Sequence, residues 1–194
     1  MKVRAVAVTQ PIINKIDGPM SVDEFVAYVA RVSNPSNQMN TETAPKLLKY
    51  LVTHNHWSPF EMAHVTMEIE TTRDIARQIL RHRSFSFQEF SQRYADPTDD
   101  LGFERREARL QDTKNRQNSI EIDVYDNIDH RELNSEWELK QIDLIRKVND
   151  TYKWAISNGI AKEQARAVLP EGMTISRMYM AGLSLIHISE PTRQ

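Results

Sequence analysis

Cysteine is absent from the 194 residues, which excludes disulfides and thiolate metal sites. Glycine is scarce, with only Gly18, Gly102, Gly159, Gly172 and Gly182. No two of these are close enough to build a G-x-G-x-x-G turn or a phosphate-cradling P-loop, so a bound nucleotide would have to be held by side chains. No apolar run approaches the roughly 18 residues of a membrane span, and no charged-then-apolar leader opens the chain. These absences point to a cytoplasmic protein without a membrane partner. Neither charge dominates: the net charge is −2 and the sequence pI about 6.3, which argues against a nucleic-acid partner, since such binders carry a basic surplus. What is present, 40% hydrophobic and 27% charged residues, suits one globular domain large enough to bury a core.

Local patterning predicts mixed elements. Lys2 to Thr9 is β-branched and partly alternating, a strand that Pro11 ends. Ser21 and Glu24 form a capping box ahead of Phe25, Val26, Val29 and Val32, a helix that Asn34-Pro35 stops. A second helix starts near Thr43, with Pro45 in its first turn and Leu47, Leu48, Leu51 and Val52 inward. The segment from Thr53 to Glu61 is a polar loop. Its His54-x-His56 pair lacks a cysteine or a third ligand at short spacing, so no metal site is expected. Glu61 is expected to partner an arginine. Met62 to Glu70 alternates as a half-buried antiparallel strand with Ala63, Val65, Met67 and Ile69 inward. Thr71 to Leu80 then reads as a helix with Thr72 as its N-cap and Ile75, Ala76, Ile79 and Leu80 inward, and Phe85 and Phe87 signal a return strand. Phe85, Phe87 and Phe90 suit a core better than a stacking platform. Residues 96–132 form a polar excursion with one short element near Ile120 to Ile122. A long helix is expected from Ser135 to Asn158, with Ser135 and Glu138 as its capping box, Ile142, Ile145, Val148, Tyr152, Ala155 and Ile156 inward, and Gly159 as its stop. A last short helix, Ala161 to Val168, carries Arg166.

The chemistry concentrates between Thr71 and Arg93. Arg73, Arg77 and Arg81 recur at i, i+4 and i+8, and such like charges repel. The plain account is a solvated helix face neutralised by Asp74, Glu70 and Glu68. The continuation favours a ligand, because Arg83 and Arg93 follow, interleaved with Ser84, Ser86, Ser91 and Glu89. Guanidinium forks and hydroxyls are the donors a phosphate ester needs, and one carboxylate among them can accept from a ribose hydroxyl or a base N–H.

The run Arg81-His82-Arg83-x-x-Ser86-x-x-x-x-Ser91-x-Arg93 resembles the hallmark of the flavin-dependent thymidylate synthases. The resemblance extends to His54-x-His56-x-Ser58-Pro59-Phe60-Glu61 upstream and to Ala165-Arg166-x-x-Leu169-Pro170 downstream. It implies an α+β fold, an antiparallel sheet flanked by helices, and reductive methylation of dUMP to dTMP. By the same resemblance NADPH reduces FAD, and methylenetetrahydrofolate supplies the carbon. Gln78, Arg81, Glu89, Phe90, Ser91, Gln92, Arg93 and Arg166 would bind dUMP, with Arg166 reaching the phosphate of a neighbouring subunit. Ser58, Arg81, His82, Arg83 and Glu89 would hold flavin, and His56 would border the folate side. Arg81, His56 and Ser91 are the catalytic candidates. A homotetramer with shared active sites is implied, with no nucleic acid as partner. The missing cysteine fits this chemistry, because a thiolate cannot then activate uracil and a reduced flavin offers another route.

The resemblance spans 1–182 as one domain and stops near Gly182. Residues 183–194, with Pro191 preventing a long helix, are expected to be a non-native tail, and neither His187 nor Arg193 is given a role. Two other readings stay open: an inactive fragment that binds nucleotide or flavin, and a nucleic-acid module built on the arginine helix.

Overall fold

A computed structural model describes residues 1–183, so the tail expected to depart from the family lies outside the described residues apart from Leu183. The elements are β1 (Lys2–Val8), β2 (Asn14–Lys15), β3 (Gly18–Pro19), α1 (Val22–Ala30), α2 (Ala44–Thr53), β4 (His64–Thr72), α3 (Arg73–Ile79) and β5 (Phe85–Glu89). After them come α4 (Pro97–Asp100), β6 (Arg109–Gln111), β7 (Ser119–Glu121), α5 (Ile128–Ser157), α6 (Lys162–Ala165) and β8 (Ile175–Leu183). Strands β1, β4, β8 and β5 lie in that order in one sheet. Its partners run in opposite directions: Arg4 meets Glu68 while Thr9 meets His64, and Glu68 meets Tyr179 while Glu70 meets Arg177. The expected α+β class with an antiparallel sheet is what the chain adopts.

The chain divides into two compact units. The first comprises Met1–Ile69, Leu80–Gln88 and the chain from Met178 onward. Its core gathers Met20, Val26, Ala27, Ala44, Leu51, Val65, Ile69, Met178 and Met180. The capping box is formed as expected, the Ser21 hydroxyl taking the Glu24 N–H and the Glu24 carboxylate taking the Ser21 N–H. Helix α1 ends earlier than its pattern suggests, so Val32 falls outside it and is 69% exposed. Pro45 does sit in the first turn of α2, but Val52 points outward. That helix closes on Asn55, whose positive φ of 57° lets the His56 N–H reach the Leu51 carbonyl at 2.8 Å.

Strand β4 starts and ends two residues later than the alternation implied. Glu68, expected on the polar face, is buried, because Arg4 donates to one carboxylate oxygen and Tyr179 to the other. Glu61 is exposed and pairs with no arginine among the described residues.

The second unit comprises Glu70–Ile79 and Glu89–Arg177. Val148, Tyr152, Ala155, Ala165 and Leu169 form its core, with Phe103 and Ile156 packed against them. Helix α5 begins at Ile128 on an Asn127 cap rather than at Ser135. The Ser135 hydroxyl instead donates to the Arg131 carbonyl inside the helix, and Glu138 pairs with Arg105. Gly159, with φ of 79°, follows the helix as expected.

Thr72 is not an N-cap, since β4 runs through it straight into α3. The first N–H groups of α3 are met by backbone, Arg73 donating to the Thr174 carbonyl at 3.0 Å and Asp74 to that of Glu171 at 3.2 Å. The polar excursion contains more structure than one short element. Strands β6 and β7 pair as a hairpin, and the stretch before them is tied down by a Phe103–Thr174 bridge and a Glu104 N–H bond to Met173.

Candidate functional site

The second unit holds a pocket of about 430 Å³ lined by Arg73, Arg77, Gln92, Glu163, Arg166, Ala167, Leu169 and Glu171. Its arginines arrive from two places in the chain. Helix α3 projects Arg73 and Arg77 one turn apart, and Arg166 follows α6 in a short 3-10 turn. The solvated-face account of the arginine helix fails at Arg73, which is only 8% exposed. Its guanidinium lies 3.5 Å from Glu89, whose same oxygen accepts from the Ser176 hydroxyl at 2.9 Å. Among the described residues, the neighbouring carboxylates pair with arginines from elsewhere: Asp74 with Arg106, Glu70 with Arg177 and Glu68 with Arg4.

Two carboxylates stand against the basic groups. Glu171 takes a forked bond from Arg77, at 2.6 to 2.9 Å, which holds its carboxyl below the usual range and raises the arginine further. Glu163 does the same for Arg93 at 2.8 Å and is likewise lowered. Both pairs are about half exposed, so water screens them and an arriving anion can replace either carboxylate. Arg166 has no carboxylate bond among the described residues; its Nε donates to the Glu163 carbonyl at 3.2 Å.

Gln92 is the uncommon feature. It lines the pocket, is 5% exposed, and its Nε2 finds no acceptor among the described residues. A buried donor without a partner costs about 1–3 kcal/mol, so a polar ligand at that position would be well received.

The expected nucleotide residues are thus partly assembled. Glu89, Gln92, Arg93 and Arg166 belong to or border the pocket. Ser91 shapes the turn before Arg93, its carbonyl accepting from Tyr94 and Ala95, and the Phe90 N–H donates to Arg177. Gln78 is exposed on α3 and does not line the pocket. The wall residues Glu163 and Glu171 were not anticipated; only their acidity near Arg166 and Pro170 hinted at them.

The other candidates belong to the first unit. Arg81 and Arg83 are exposed, and neither bonds a carboxylate among the described residues. The His82 ring sits edge-on to Phe85 at 5.9 Å, and Phe85 in turn to Phe87 at 6.3 Å, all half-buried. His54 stacks on Tyr50 at 3.9 Å and its Nδ1 lies 2.8 Å from the Tyr50 carbonyl, while His56 approaches the same ring edge-on. Ser58 is exposed and opens the short turn Ser58–Met62.

Comparison with known proteins bears on this arrangement. A family model described as thymidylate synthase complementing protein matches residues 16–190. The chain is 44% identical over 182 residues to a probable flavin-dependent thymidylate synthase of Paramecium bursaria Chlorella virus 1, covering 94% of this chain and 79% of that protein. It is 47% identical over 184 residues to a flavin-dependent thymidylate synthase of a Synechocystis strain, again covering 94% and 79%. Among solved structures, the UMP/dUMP methylase PolB from Streptomyces cacaoi, bound with 5-Br UMP, has the same fold. Its TM-score is 0.67 at 24% identity, covering 94% of this chain and 71% of that one.

Proposed function

The chain belongs to the thymidylate synthase complementing protein family, the flavin-dependent thymidylate synthases, and on that premise we propose that it is an enzyme converting dUMP to dTMP by reductive methylation. The pocket of the second unit carries this reading. Arg73, Arg77 and Arg166 gather positive charge where the buried Gln92 amide lacks a partner, which suits a phosphate ester attached to a polar base.

Each side chain then has a definable task. Arg166 and Arg93 take the phosphate, Arg93 leaving Glu163 to do so. Glu89, oriented by Arg73 and Ser176, accepts from a sugar hydroxyl or a base N–H. The Gln92 amide donates to a base carbonyl. Ser91 and the Phe90 backbone keep Arg93 in register. With no cysteine in the sequence, no thiolate adds to the uracil ring, so the protein contributes orientation and electrostatic stabilisation.

The donor set of the first unit fits a flavin dinucleotide. Arg81 and Arg83 offer guanidinium groups with no competing carboxylate among the described residues, beside His82 and the Ser58 hydroxyl. A bound FAD supplies two-electron reduction. We assign NADPH as the electron donor and methylenetetrahydrofolate as the carbon donor, with His56 on the folate side. The working enzyme is a cytoplasmic homotetramer whose active sites are shared between subunits.

The test is calorimetric titration of the protein with dUMP and with deoxyuridine. Charge-assisted bonds contribute about 1.5–3 kcal/mol each, so removing the phosphate should weaken binding by about tenfold or more. Arg93→Ala and Arg166→Ala should lose dUMP affinity by a similar factor and flavin affinity far less. Equal binding of dUMP and deoxyuridine, or equal loss of both ligands, would refute the assignment. Formation of dTMP with FAD, NADPH and methylenetetrahydrofolate tests the full reaction.

A further inference from the structure

Helix α3 supplies Arg73 and Arg77 to the pocket and the segment 166–171 supplies Arg166, so their mutual spacing sets its width. At the backbone they are joined by the Asp74 N–H bond to the Glu171 carbonyl. Besides the Arg77–Glu171 fork, Arg106, from the stretch before β6, links α3 to Gly172, the residue that follows the segment. Its guanidinium donates to Thr72 Oγ1 at 2.6 Å, to the Asp74 carboxylate at 2.9 and 3.0 Å, and to the Gly172 carbonyl at 3.2 Å. Thr72 is fully buried, so its hydroxyl is a fixed point.

Arg106 is itself immobilised. Gln141 of α5, 3% exposed, accepts from the Arg106 N–H at 2.7 Å and donates to its carbonyl at 2.9 Å. Trp137 Nε1 donates to the same carbonyl at 3.0 Å. The side chain therefore runs as a strut from a helix anchor to α3 and to Gly172, directly after the segment that carries Arg166. The Arg106–Asp74 pair is more than a third exposed on each side, so as an ion pair it adds little stability. Its effect is geometric, because hydrogen bonds and charge attraction to a phosphate weaken once the arginines on either side of the pocket move apart.

Resting on the nucleotide reading above, we propose that Arg106 is a positioning residue for dUMP: it touches no substrate, and it fixes Arg73 and Arg77 relative to Arg166. Arg106→Ala should raise the Kd and KM for dUMP about tenfold, leaving kcat at saturating dUMP within about twofold. Millimolar guanidinium ion should restore much of the affinity by refilling the gap, and Arg106→Lys should fall between, since an ammonium cannot span Thr72, Asp74 and Gly172 together. A residue that merely stabilised the fold would lower the melting temperature without the KM-selective change or the rescue. If Arg106→Ala does not fold, Asp74→Asn, which weakens the same lock at constant size, must give the KM-selective loss. Undiminished dUMP binding by the folded variant, alongside loss in Arg166→Ala, overturns the role of Arg106. A wild-type protein that binds no dUMP overturns the nucleotide reading beneath it.

Discussion

Gly182 shows how much one residue can decide. A Cβ added there would lie 2.2 Å from a carbon of the Phe85 ring, so strand β8 passes β5 only because this position has no side chain. Overpacking of this kind typically costs about 1–3 kcal/mol, so Gly182→Ala should lower the urea midpoint accordingly; an unchanged midpoint would mean that Phe85 yields freely. Residue types alone pointed to the arginines and serines, because phosphate chemistry selects those groups, whereas Gln92 came only with the family resemblance. The carboxylates that hold them could not be read the same way. Glu171 lies 94 positions from Arg77 and Glu163 lies 70 from Arg93, and no local pattern links such distances.

At the scale of elements, capping decided which boundaries were legible. The Ser21–Glu24 box is local, and it formed as written. Lys15 chiefly, with the Ser21 N–H, holds the Glu24 carboxyl down to about 2 from an ordinary 4.5. A depressed carboxylate stabilises the fold fully above its unfolded value and loses that contribution as pH falls through the folded one. Glu24→Gln should therefore melt below wild type at neutral pH, with the gap closing between about pH 4.5 and 2; a pH-independent gap would contradict the role of the ionised carboxylate paired with Lys15. The boundaries that differed were those set from outside. Helix α3 is capped by carbonyls of Glu171 and Thr174, and α5 starts on Asn127, so Thr72 and Ser135 misled as local signals. Strand β8 had no clear signature: Ser176, Met178 and Met180 face inward, yet none is β-branched.

For the whole molecule, several large apolar side chains remain in water on a single chain. Leu139 and Trp154 of α5 are about 60% exposed, and every residue of β1 is exposed. A homotetramer would cover such surfaces, so sedimentation equilibrium should report four chains rather than the 22.6 kDa of one. A stable monomer at working concentration would count against shared active sites. The sequence by itself determined the locally capped helix, the nucleotide chemistry and the family, because each rests on residue types at short, fixed spacing, and the family in turn implied the α+β class. Only the tertiary structure decided that β8 lies between β4 and β5, that Arg73 is buried against Glu89, and that Arg106 ties α3 to Gly172. Those features depend on which distant segments come together, and hydrogen bonds between segments leave no periodic trace in the chain that makes them.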